Sequence, residues 1–221
     1  MKASGVDRII GWLLRLAVAG FTMSWLGAGV AGWHRDALVL VYAVVVGVLV
    51  FSYFRSAGVE FRKSLLRRWQ SGVVAGLVVG GLLARNVMAQ PGSPEPHGVQ
   101  LAWPILWLGV IYGVVDALLL NVMPVWIVYA DWNAGAKIRS VRLGRTAVAL
   151  GASLLVTATY HLGYQEFRGP ELMQPLIGNG LITLAFLLTG SPASSIIAHV
   201  IMHTAAVLHG INTTVQLPPH Y

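Results

Sequence analysis

The sequence predicts an all-α fold, a polytopic integral membrane bundle of about seven transmembrane helices, and three observations carry that expectation. Hydrophobic residues make up 56% of the 221 and charged residues only 10%, against roughly 25% charged in an ordinary soluble domain. Mean hydropathy is +0.70. Apolar runs of the length a bilayer crossing requires, about 20 residues, alternate with short basic segments. So few charges cannot cover a water-facing surface, so lipid must solvate much of the chain.

The first run, 9–31, has full span length and contains Arg15, which marks a retained helix rather than the short apolar region of a cleavable signal peptide. Further spans are predicted at 37–54, 71–90, 101–130, 145–163, 175–189 and 193–211. The fourth is too long for one straight crossing. Pro104 and Pro124 are expected to bend or bound it, because proline removes a backbone donor and clashes with the preceding turn. The sixth is short, which suits a tilted helix or a hairpin with the seventh.

Orientation follows from lysine and arginine. Arg55, Arg62, Lys63, Arg67 and Arg68 follow the second span; Lys137, Arg139, Arg142 and Arg145 follow the fourth. Both segments are expected in the cytoplasm, and the loop 91–98, without Lys or Arg, on the other side. The expected location is thus the cell membrane, with the N-terminus (Lys2, Arg8) inside and the C-terminal tail opposite. Topology accounts for the excess of fifteen Lys and Arg over eight Asp and Glu, so nucleic acid is not an expected partner. The stretch 61–69 also suits an amphipathic helix touching anionic lipid. The absence of cysteine excludes disulfides and thiolate metal sites and leaves the redox compartment open. Asn212-Thr213-Thr214 fits a glycosylation sequon, a triplet common by chance.

Ionisable side chains inside hydrocarbon are costly, and each is a functional candidate. Asp7, Asp36, Glu60, Glu95, Asp131, Glu166 and Glu171 fall in termini or loops; only Asp116 lies well inside a span. His161 ends the fifth span. His199 and His203, four apart in the seventh, share one helix face, whereas His209 points elsewhere. Asp116, His161, His199 and His203 come from three spans and can converge on one site, either activating a water or binding a divalent metal such as zinc. An isolated intramembrane histidine is more often a helix–helix hydrogen-bond partner. Arg85 and Asn86 lie near an outer span end, where snorkelling accounts for them.

Three segments of the second half of the chain, roughly 109–210, carry a resemblance: 116–121; 153–164; and 179–199, with Thr189-Gly190-Ser191 leading to Ile196-Ile197-Ala198-His199. They resemble the CAAX-protease and bacteriocin-processing (CPBP) family of intramembrane endopeptidases, whose signature is E-E-x-x-x-R on one helix, F-x-x-x-H on the next and H-x-x-x-N on the last. The segment 116–121 falls where the first motif should be, 153–164 resembles the surroundings of the second, and 179–199 the approach to the last. The resemblance implies that Asp116 activates the attacking water with His161 as partner, and that His199 and His203 stabilise the oxyanion. Ala117 stands for the second Glu, Asn121 for the Arg, Thr157 for the Phe and His203 for the Asn, so the family's acid–base pairing in the first motif is lost. Glu166-Phe167-Arg168-Gly169 imitates that motif but has the wrong spacing and lies in a loop.

On this reading residues 1–100 are scaffold helices and 101–221 a CPBP-like core, together one membrane domain. The expected function is hydrolysis of a peptide bond in a membrane-associated peptide or protein. The alternatives are an inactive membrane protein with an immunity, binding or assembly role on the same scaffold, and a His/Asp metal site or ion pathway.

Overall fold

The computed structural model describes residues 5–58, 60–93, 98–131, 139–212 and 216–218, without the side chains of Phe61 and 131–142. Lys2, Glu95, Lys137 and residues 213 and 214 of the sequon lie outside the described residues, as do the side chains of Asp131, Arg139 and Arg142. The described residues form helices α1 (Gly5–Val30), α2 (Arg35–Ala57), α4 (Trp69–Met88), α5 (Gly98–Ala130), α7 (Pro170–Thr189) and α8 (Ala193–Gly210), together with α3 (Phe61–Leu66) and α6 (Arg139–Leu162). No strand occurs among them.

The six helices named first are long and apolar enough to cross a membrane. The fifth predicted span coincides with α6, a 24-residue helix that falls outside those six because Arg145 at one end and Tyr160 and His161 at the other dilute its apolar run. Polarity is inverted relative to a soluble protein. Phe51, Val74 and Leu188 are 67%, 64% and 83% exposed, whereas Asp116, Asn121, Ser153, His199 and His203 are buried. Exposed apolar surface on this scale, with polar groups inside, is the pattern of a multi-pass membrane protein.

Glycine fixes how the central helices meet. Helix α4 carries Gly72, Gly76 and Gly80 at four-residue spacing, so all three lie on one face, and α8 packs along it as the most extensive helix pair. A Cβ on Gly76 would stand 2.8 Å from the Ile197 Cβ and 2.9 Å from the Ser194 carbonyl oxygen. One on Gly80 would stand 3.1 Å from the Ala198 Cα, and one on Gly72 would collide with the Ser191 side chain. Gly109 and Gly113 of α5 meet α8 in the same way, opposite Thr204 and the backbone of Val200. Without a hydrophobic driving force between helices in lipid, such close backbone approach supplies the van der Waals contact. Helix α8 is thus gripped by glycines from both α4 and α5.

Helix α5 answers the length problem posed by its two prolines. It is one continuous helix whose turns widen to the π form over Ile105–Ile111, directly after Pro104, and over Leu118–Val122, ending two residues before Pro124. Widened turns absorb the clash and missing donor that proline brings. Asp116 lies in the α-helical segment Tyr112–Ala117 between the two.

Candidate active site

Asp116, on α5, is at the centre of the buried polar groups. Its Oδ1 accepts a 2.9 Å hydrogen bond from the Tyr42 hydroxyl of α2, and its Oδ2 lies 3.3 Å from His203 Nε2 of α8. One turn away on the same helix, His199 Nδ1 is 3.4 Å from His203 Nε2. Ligand atoms of Asp116, His199 and His203 all lie within 4.8 Å of one another.

Hydrogen bonding sets the tautomers. His199 Nε2 faces two amide oxygens, Asn121 Oδ1 at 2.7 Å and Asn179 Oδ1 at 3.2 Å. Those amides are oriented independently. Asn121 Nδ2 donates to Thr183 Oγ1 at 2.8 Å and to the Asn179 carbonyl at 3.2 Å; Asn179 Nδ2 donates to the Pro175 carbonyl at 3.1 Å. His199 therefore carries its proton on Nε2, and Nδ1 presents a lone pair to His203. His203 Nε2–H then points between that lone pair and the Asp116 carboxylate. His203 Nδ1 is buried with no hydrogen-bond partner.

The node that holds His199 draws on α5, α6 and α7. Ser153 Oγ of α6 donates to the Leu120 carbonyl at 2.6 Å and lies 2.7 Å from Thr183 Oγ1 of α7. Asn121, the residue counted as a lost arginine in the sequence, is the piece that ties this node to the histidine. Asn121→Leu is expected to lower thermal stability, by about 1–3 kcal/mol for a buried donor left with a weaker partner. Thermal unfolding in detergent, with Leu118→Met as control, measures it.

His161 occupies the same cavity but makes no direct hydrogen bond to the other three. Its Nδ1 donates to the Thr157 carbonyl at 2.8 Å, leaving Nε2 bare in the neutral ring, and the ring meets Phe167 and Tyr160 edge-on. The cavity, about 70 Å³, is lined by Asp116, His161, His199 and His203, by Asn86, and by Gln216 to Pro218. Seventy cubic ångströms of space with polar groups in its lining holds more than one water. Arg35 Nε donates to the Pro218 carbonyl at 2.9 Å, fixing the tail at the cavity wall. A tyrosine chain forms another wall: Tyr164 donates to the Tyr160 hydroxyl at 2.9 Å, and that hydroxyl pairs with Tyr112 at 2.9 Å.

All four residues singled out in the sequence therefore reach one cavity, three of them in mutual contact. His209 stays apart, its Nε2 bonded to the Gln90 carbonyl at 2.7 Å. Arg168 of the imitation motif bonds the Leu162 and Gly163 carbonyls at 3.2 Å each, closing the end of α6. Sequence reasoning missed Tyr42, Ser153, Asn179 and Thr183, and assigned Asn86 to snorkelling although it lines the cavity. No family model, no curated protein and no solved structure matches this chain.

Proposed function

We propose that the chain is an intramembrane hydrolase, a CPBP-like peptidase or a diverged relative of one, acting on a membrane-associated peptide or protein. The observation that supports it is the convergence of one carboxylate and three imidazoles on a single cavity with room for water. Asp116 takes a proton from a cavity water as the water oxygen bonds to the scissile carbonyl carbon. The carbonyl electron pair moves to oxygen, and the proton held by Asp116 passes to the departing amine as the C–N bond breaks. His161 Nε2, free to accept, orients the water. His203, with the proton nearest the carboxylate, stabilises developing negative charge. His199 spends its N–H on Asn121 and Asn179 and so acts as a positioning residue. Helix α6 serves as the seventh span, with the basic segments cytoplasmic and the cavity nearer the opposite face.

A second reading has its own support. The His203–Asp116 and His203–His199 separations of 3.3 and 3.4 Å match two edges of a tetrahedral site with bonds of about 2.0–2.1 Å, and Nδ1 of His199 is oriented as metal-ligating imidazoles are by their outer partners. A divalent metal such as zinc held there would supply Lewis-acid polarisation and a more acidic bound water. Asp116, His199 and His203 would be its ligands.

One experiment serves both. Protein reconstituted in liposomes is expected to cleave a panel of membrane-embedded peptides, and His203→Ala is expected to remove that cleavage. Activity surviving exhaustive chelation, with no stoichiometric metal by elemental analysis, selects the metal-free mechanism. Cleavage unchanged in His203→Ala overturns the peptidase reading.

A further inference from the structure

A second, larger cavity lies at the opposite end of the bundle from Asp116, where α2, α5, α6 and α7 meet the basic segment after α2. Its volume is about 490 Å³, within the range of ligand pockets. Its floor and walls are apolar and aromatic, with Phe54, Val125, Trp126 and Phe186 among them, and its rim carries Arg67 and Arg145. No acidic side chain is among the described residues that line it, and none of the ion pairs among the described residues involves either arginine.

The two guanidiniums repel one another, and at Arg145 Tyr129 offsets part of that repulsion. Arg145 is held in place: it donates to the Tyr129 carbonyl at 2.6 Å and its Cζ stacks 3.9 Å above the Tyr129 ring. Its Nε is nevertheless buried without a partner. Arg68 adds a third cation beside the rim, its side chain packed near Gly190. A buried Arg145 Nε without an acceptor among the described residues, beside the exposed guanidinium of Arg67, offers donors suited to an anion with several acceptor oxygens.

We propose that this cavity binds the headgroup of an anionic phospholipid, its phosphate between Arg67 and Arg145 and the start of an acyl chain against Phe54, Trp126 and Phe186. Charge complementarity selects the phosphate, and the apolar floor selects an amphiphile over a free ion. Basic pockets between membrane helices recognise lipid headgroups on these terms. The proposal is independent of the chemistry assigned to Asp116.

The test uses the full chain in a zwitterionic detergent, with lipid binding followed by native mass spectrometry and thermal stabilisation. Dioleoyl phosphatidylglycerol is expected to bind and raise the melting temperature, and dioleoyl phosphatidylcholine to do so weakly. The double variant Arg67→Gln/Arg145→Gln is expected to lose roughly thirtyfold in affinity for phosphatidylglycerol, the equivalent of about 1 kcal/mol for each basic side chain near an anionic headgroup. Arg67→Lys/Arg145→Lys is expected to retain most of the binding. Equal binding of the two lipids by the wild type overturns the proposal whether or not the variants fold. So does stabilisation by inorganic phosphate that matches phosphatidylglycerol, or phosphatidylglycerol binding unchanged in the double glutamine variant.

Discussion

Asp116→Asn is expected to lower peptide hydrolysis by about a hundredfold or more, the typical contribution of a positioned general base, while thermal stability stays close to wild type. The replacement is nearly isosteric, and the amide oxygen can keep the 2.9 Å bond from Tyr42. Two opposing changes then act on stability. Removing a carboxylate from a site where it is only 4% exposed relieves its desolvation cost but also gives up the attraction of the neighbouring imidazoles that offsets that cost. Against this, the amide nitrogen faces His203 Nε2, which must give up its proton to Nδ1, an atom with no partner, at a cost of about 1–3 kcal/mol. The near cancellation separates function from structure. A purely structural Asp116 would lose stability on substitution, with activity falling only as the folded fraction falls. Hydrolysis in proteoliposomes and melting in detergent, run on the same preparations, read both quantities. A wild-type rate in Asp116→Asn would remove Asp116 from the mechanism. Asp116→Ala, which also takes away the acceptor for Tyr42, is expected to melt below both.

Much of this site was legible because hydrocarbon makes polar residues conspicuous. Asp116 is the only acid well inside a span, and the four-residue spacing of His199 and His203 placed them on one face without any structure. What the sequence left hidden were the partners. Tyr42 lies on α2, in the half of the chain read as scaffold, and reaches Asp116 across 74 positions. A tyrosine in an apolar run gives no sign of which carboxylate its hydroxyl will meet. Ser153, Asn179 and Thr183 are small polar residues of a kind common in membrane helices, and only the packing of α5, α6 and α7 gathers them. Asn121 stands where the family motif has an arginine, and the structure gives it a further role, since its amide sets the tautomer of His199. Helix boundaries were readable to within several residues, because the apolar runs coincide with the helices. The span expected at 145–163 matches helix α6, whose apolar run Arg145, Tyr160 and His161 dilute, so it is not among the six helices long and apolar enough to cross a membrane.

The glycine stripe was also present in the sequence, as Gly72, Gly76 and Gly80 at intervals of four, and it leads to the largest stability effect. Gly76→Ala is expected to destabilise the protein by about 1–3 kcal/mol, the usual range for overpacking a tight interior. The added methyl would stand 2.8 Å from the Ile197 Cβ and 2.9 Å from the Ser194 carbonyl. Neither neighbour is the flexible end of a side chain, so the helices themselves must separate. Gly81, one residue beyond the stripe on the same helix, has nothing within 4 Å of its would-be Cβ. Gly81→Ala is therefore expected to be neutral or stabilising, since alanine is favoured over glycine in a helix interior by up to about 1 kcal/mol. The pair shares residue type and helix and differs in what it faces, so their melting temperatures isolate the packing term. Equal melting temperatures would refute the close approach of α4 and α8. The same contact carries the position of the site. His199 and His203 project from the helix that α4 presses against α5, so a shift of α8 away from Asp116 by about 1 Å is enough to cost about a hundredfold in rate. Gly76→Ala should therefore reduce hydrolysis even at temperatures where it remains fully folded, whereas Gly81→Ala should not.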